Sequence, residues 1–213
     1  MEFKKLVEIV GDEPVFETAL FLAGDVDPGD VQRQLSRWTK SGRLYQIRRG
    51  LYALAPPFQR NKPHPFVIAN RLVPGSYITC QSALGYYGLI PEYVPMTTSV
   101  SSARPGHWET PLGTFQFRHI KAELLRGYRL TELSVGQRAF IATPEKALLD
   151  LIYLHPGAER LDYLGELRLQ NLEHLNLDEL QRLTVLTGIP KLKRAAKQIG
   201  EMIHTEAGEY EKI

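Results

Sequence analysis

Residues 27–54 read DPGDVQRQLSRWTKSGRLYQIRRGLYAL, a helix followed at once by a tight hairpin. Asp27 can cap the helix, because its carboxylate accepts the free N–H groups of the first turn. Pro28 suits the first helical position, where its missing N–H costs nothing. Gly42 ends the helix by accepting a left-handed conformation. Val31, Leu35 and Trp38 fall at helical spacing and make one apolar stripe. Gln32, Arg33, Ser36, Arg37 and Lys40 are left on the opposite side. Beyond the helix, 44–48 and 51–54 are apolar runs separated by Arg49-Gly50, where glycine tolerates the positive φ of a two-residue turn. Arg48 and Arg49 stand at or near the tip of this hairpin.

The charge is as uneven as the pattern is regular. Between Pro28 and Lys62 there are eight cations, Arg33, Arg37, Lys40, Arg43, Arg48, Arg49, Arg60 and Lys62, against one acid, Asp30. The local excess is therefore seven, in a chain whose net formal charge is +2. A local excess in a nearly neutral protein is an electrostatic footprint for a polyanion. Upstream, Phe3, Leu6, Val7 and Val10 define a helix stopped by Gly11. Asp12 and Pro14 open a second short helix, with Val15, Phe16, Ala19, Leu20 and Leu22 on its buried side and Gly24 at its end. Helix, helix, turn, helix, hairpin is the order of a winged helix-turn-helix. Such a unit gives duplex DNA a helix for the major groove and a wing for the phosphate backbone.

A chain of 213 residues with 43% hydrophobic content suits one large or two small domains with a real core. Its single cysteine, Cys80, excludes an internal disulfide. The acidic, non-apolar start is unlike a secretion signal, and no apolar run approaches the ~20 residues of a membrane span. The expected setting is cytoplasmic, with no membrane partner. Prolines 56, 57, 63 and 65 favour an extended, semi-rigid connection. The expected organisation is a winged-helix domain over 1–57, a linker over 58–65 and a second domain over 66–213. The fold class is α+β, the second domain being mixed α/β and ending in a helical segment. Helices are expected at 66–73, 81–87, from Pro144 after a Thr143 cap, and near 159–171, 177–187 and 190–204. Strands are expected at 76–79, 96–101, 114–120 and 140–142, with a turn at 104–106. The terminal GEYEKI is expected to fray.

No catalytic, metal or cofactor residues emerge. Gly75-Ser76 is like the start of a nucleotidyltransferase signature, but the paired carboxylates that would hold a divalent metal do not follow. Glu145, Lys146 and Asp150 form a nuclease-like trio, yet Glu145 sits where an acid simply complements a helix dipole. The six histidines are scattered, and there is no nucleophile elbow, P-loop or dinucleotide fingerprint. Two further basic clusters, Arg118, His119, Lys121, Arg126 and Arg129, and Lys191, Lys193, Arg194 and Lys197, read either as solubilising surface or as added phosphate contacts.

The chain resembles the AbiEi antitoxins of bacterial abortive-infection toxin–antitoxin systems. The resemblance is carried by WTKSGRLYQIRRGLYAL at 38–54, SALGYYGL at 82–89, Thr97 to Gly106, Phe117 to Ile120 and IATPEKALLD at 141–150. It implies a transcriptional regulator with an N-terminal winged helix and a C-terminal antitoxin domain. Such a protein represses its own operon at inverted repeats and counters a nucleotidyltransferase-like toxin encoded beside it, without requiring stable toxin binding. The matching DNA-contact positions are Arg33, Arg37, Lys40, Arg48 and Arg49, and no catalytic residue is implied.

The resulting expectation is a double-stranded-DNA-binding repressor. Arg33, Ser36 and Arg37 reach base edges with Gln32 at the periphery, while Lys40, Arg43, Arg48 and Arg49 neutralise phosphates. Four neutralised phosphates give a salt slope (log affinity against log salt) near −3.6. The alternatives are a nucleic-acid-processing enzyme with a winged-helix targeting domain, and an interaction module that neutralises a toxin directly.

Overall fold

Helix α1 (Phe3–Val10) turns Leu6 and Val10 inward and stops at Gly11, whose φ is +58°. The computed structural model describes residues 2–23 and 26–210, with side chains as far as 203. The helix expected after Pro14 does not form. Phe16–Glu17 is a short strand, β1, and Thr18–Phe21 is a single 3₁₀ turn. The aromatic pairing of Phe16 explains the difference. As a strand residue it lies opposite Tyr52, with its ring stacked on that tyrosine at 6.0 Å and met edge-on by Phe21 at 5.6 Å. Leu20 and Leu22, expected on a buried helix face, are exposed. The expected stop at Gly24 lies outside the described residues.

Helix α2 (Pro28–Lys40) and strands β2 (Leu44–Arg48) and β3 (Leu51–Leu54) occupy the expected positions. The sheet order is β1-β3-β2, all antiparallel. Leu6, Val10, Phe16, Phe21, Val31, Leu35, Trp38, Leu44, Tyr52 and Leu54 make one core. The hairpin has a second buried side: Ile47, Leu51 and Ala53, with Val15, belong to the larger core of the rest of the chain. The proline-rich segment is also pinned. Gln137 accepts from the His64 N–H at 2.7 Å and donates to the Lys62 carbonyl at 3.0 Å, and Asn61 donates to the Asp12 carbonyl.

After this segment come α3 (Pro65–Leu72), β4 (Tyr77–Ile78), α4 (Cys80–Tyr86), β5 (Met96–Ser101), β6 (Gly106–Thr110), β7 (Gly113–His119), β8 (Tyr128–Ser134) and β9 (Gln137–Ala142). The chain then runs through α5 (Pro144–Leu154), α6 (Leu161–Glu166), α7 (Leu177–Thr187) and α8 (Pro190–Tyr210). The architecture is mixed α+β. Its second sheet is six-stranded and mixed, ordered β6-β7-β5-β4-β9-β8. Strands β6 and β8 go beyond the sequence expectation, which gives only a turn at 104–106 and no element over 128–134. Helix α6 is shorter than the 159–171 expected, and a separate 3₁₀ turn follows at Leu172–His174. Helix α8 runs on to Tyr210, into the stretch expected to fray, whose last three residues lie outside the described ones.

Helix α5 starts as its sequence dictates, with the Thr143 hydroxyl accepting from the Lys146 N–H and Pro144 in the first turn. Every residue from Glu145 to Ile152 is buried. Its charges are therefore partnered. Lys146 contacts Asp150, whose other oxygen accepts from the Tyr77 hydroxyl at 2.9 Å and the Thr79 hydroxyl at 2.8 Å. Glu145 accepts from the Asn176 N–H at 2.8 Å. Buried charge persists only where such partners replace water.

Candidate nucleic-acid interface

The outer face of α2 is fixed by what its inner face buries. Val31, Leu35 and Trp38 are almost wholly enclosed, and Phe3 meets Trp38 edge-on at 5.3 Å. The Asp27 carboxylate accepts from the Gly29 N–H at 2.8 Å, which sets the start and the rotation of the helix. Gln32, Arg33, Ser36, Arg37 and Lys40 consequently share one open, exposed surface. Arg37 and Lys40 lie in the last turn, where the helix dipole favours positive charge.

The cations of this surface are not equivalent. Arg33 contacts Asp30 and lies 3.8 Å from Asp27, and its hydrogen bond to Asp30 holds the guanidinium proton more firmly than usual. Arg37 and Lys40 have no acidic partner among the described residues. Arg43 places its guanidinium 5.1 Å from the Phe3 ring centroid and stays exposed.

The hairpin tip divides its two arginines. Gly50 takes φ +83°, as a tight turn after Arg49 requires, and its carbonyl accepts from the Thr18 N–H at 2.9 Å. Arg49 is exposed and unpaired among the described residues. Arg48 corrects the expectation of a second outward cation. It is half-buried, donating to the carbonyls of Arg49 at 3.2 Å and Arg71 at 3.4 Å, while its Nε is buried without a partner. The register irregularity between Gln46 and Arg48 falls at this point in the strand. Its guanidinium is committed to backbone carbonyls, one of them on α3.

The secondary clusters are mostly engaged elsewhere. Arg118 is half-buried and donates to the Leu154 carbonyl at 3.4 Å. Lys121 lies 3.8 Å from Glu123, and Arg126 donates to the Glu123 carbonyl. Arg129 lies against the Tyr87 ring, and His119 faces the Ala103 carbonyl. Glu159 holds both Lys191 and Arg194, and Lys197 lies 3.7 Å from Glu201. Of the eight residues expected to contact DNA, seven keep exposed side chains on α2 and the hairpin. Among the described residues, no three His, Cys, Asp or Glu side chains gather as a metal site.

A hollow of about 370 Å³ lies beside Cys80 at the carboxyl end of β4, with no sequence signal to mark it. Its lining comes from β5, β7, the start of α4, the end of α5 and the loop before β5, so no linear motif records it. Cys80 has φ +53°, a conformation that costs a non-glycine residue energy. Burial pushes its thiol well above the ordinary range, so at neutral pH it is a protonated wall of the hollow and not a nucleophile.

No protein-family model and no curated protein matches the chain. Among solved structures, the chain is similar to the crystal structure of the RV2827C protein from Mycobacterium tuberculosis, at 18% sequence identity and a TM-score of 0.53. The likeness covers 92% of this chain and 75% of that one. At this identity it describes a shared fold. Among the described residues no helix is long and apolar enough to cross a membrane.

Proposed function

We propose that residues 1–57 are a winged helix-turn-helix and that the protein is a sequence-specific, double-stranded-DNA-binding repressor of its own operon. The observation that carries this reading is a set of exposed cations, Arg37 and Lys40 on α2, Arg43 beside it and Arg49 at the hairpin tip, with no acidic partner among the described residues. Unpaired surface cations of this kind release counterions from a duplex. The sheet order β1-β3-β2, with α2 presented beside a two-stranded wing, supports the winged-helix reading. Gln32, Ser36 and Arg37 are suited to base edges, since arginine matches guanine and glutamine matches adenine. Arg33 joins them once a phosphate or base competes it away from Asp30. Lys40, Arg43 and Arg49 fix the register on phosphates. Repression follows from occlusion of polymerase in the cytoplasm, with no chemistry at the site.

The antitoxin role of the second unit, 66–213, rests on the AbiEi resemblance and extends the proposal to a nucleotidyltransferase-like toxin encoded nearby. The test of the regulator is fluorescence anisotropy against the DNA upstream of its own gene and against a scrambled duplex. Tight binding to the first alone, lost in Arg37→Ala/Lys40→Ala, supports repression. Weak and equal binding to both sinks it.

A further inference from the structure

We infer that the hollow at the carboxyl end of β4 is a binding site for a small organic carboxylate with an apolar body. The inference is independent of the DNA reading, since none of its residues lies in the N-terminal unit.

The hollow has the composition of a ligand site: a mostly apolar wall with a few converging polar groups. Val94, Pro95, Met96 and Leu154 supply the apolar wall. At about 370 Å³ it falls in the size range of small-molecule pockets. Its polar groups are donors left without work. Thr98 is 8% exposed, lines the hollow, and makes no side-chain hydrogen bond to any described residue. Gln116 pairs with Thr98 across the parallel β5–β7 ladder, so the two side chains project from one face of the sheet, and the Gln116 amide is also unpartnered. Thr98 is nearly buried and Gln116 half-buried, and both present side-chain donors to the hollow that a bound ligand can engage.

Charge sets the class of that ligand. Arg118, two residues beyond Gln116 on the same strand face, also lines the hollow. Its one hydrogen bond, to the Leu154 carbonyl, is long at 3.4 Å and leaves most of its five donors uncommitted. A guanidinium with a free edge takes a planar carboxylate in a bidentate pair. Glu92, which also lines the hollow, has its charge paired with Arg168 at 3.6 Å. His155, whose Nδ1 lies 3.0 Å from the Leu151 carbonyl, also lines the hollow. The backbone strain at Cys80 lies at the same wall, as strain does where a site over-determines its geometry.

The test is isothermal titration of the full chain with benzoate and with 4-methylpentanoate, with benzamide and inorganic phosphate as controls. Amide chemical-shift mapping on the same samples locates any binding. At least one carboxylate should saturate with a Kd below ~1 mM, perturbing Thr98, Gln116 and Arg118. Benzamide, which lacks the charge, and phosphate, which lacks the apolar body, should bind about tenfold more weakly or worse. Arg118→Gln should lose about tenfold or more. Gln116→Leu, at a half-exposed position that does not hold the fold, should lose about two- to tenfold and guards against misfolding of the first variant. Failure of both carboxylates to saturate by ~10 mM, equal binding of benzamide, shifts confined to another surface, or full affinity in Gln116→Leu and a folded Arg118→Gln each overturn the assignment.

Discussion

Arg48 and Arg49 are adjacent, chemically identical and expected to behave in opposite ways on DNA. The sequence alone assigns phosphate contacts to Lys40, Arg43, Arg48 and Arg49, and so a salt slope near −3.6. The structure withdraws Arg48, whose guanidinium is held by the carbonyls of Arg49 and Arg71. Three phosphate contacts remain, and the expected slope is about −2.7. A rise from ~50 to ~200 mM salt then weakens binding roughly 40-fold. Removing the exposed Arg49 with Arg49→Ala leaves two contacts, a slope of about −1.8 and a loss of roughly 12-fold over the same range. Arg48→Ala keeps the wild-type slope and instead lowers the melting temperature, because it removes the hydrogen bond that ties the hairpin to α3. Anisotropy titrations at four or five salt concentrations on one duplex read all three slopes. A slope that falls by ~0.9 in Arg48→Ala, or that does not move in Arg49→Ala, refutes the assignment of the wing tip.

Three other outcomes are expected. Asp30→Asn removes the acid that occupies Arg33, and under the DNA-binding proposal affinity at low salt rises a few-fold in the same assay; an unchanged or weaker affinity contradicts the idea that Arg33 is held in reserve. Burial lowers the His64 pKa below its usual 6.5, and its neutral Nδ1 accepts the Phe66 N–H that starts α3. The unfolded chain therefore binds the proton more readily, stability falls as pH drops below about 6.5 towards the folded pKa, and His64→Asn, which caps without titrating, flattens that part of a pH–melting curve. Lys146→Met strands Asp150 in the core and costs about 3–5 kcal/mol by urea denaturation, whereas Lys146→Met/Asp150→Leu recovers most of it; a double variant as unstable as the single one would show that the pair does more than satisfy itself.

Helix boundaries were legible wherever a cap or a stop is written in one residue. Asp27, Gly42, Thr143 and Gly188 place α2, α5 and α7 within a residue or so of where they lie. The strands that escaped notice, β6 and β8, are the two edges of the six-stranded sheet. An edge strand pairs on one side only, and its side chains are largely exposed, so GHWET and YRLTELS carry little of the apolar alternation that reveals an inner strand. Phe16 was misassigned for a related reason: a two-residue strand is too short to show any period, and its partner, Tyr52, lies far along the chain. The basic face was legible as a count but not as a set of available charges. Arg33 could have been discounted from Asp30 three residues earlier. No local rule connects Arg48 to the Arg71 carbonyl.

The β2–β3 hairpin is a wall shared by two rooms. Leu44, Tyr52 and Leu54 close one core, Ile47, Leu51 and Ala53 close the other, and Gln137 fastens the intervening segment to β9. A shared wall cannot tilt without disturbing both sides, because packed interiors resist continuous deformation. The α2–hairpin unit is thus a fixed tool on a rigid handle. Under the DNA-binding proposal, two copies that touch on one duplex would be held to a fixed half-site spacing, and inserting about five base pairs, half a helical turn, should then abolish joint occupancy while sparing each single site.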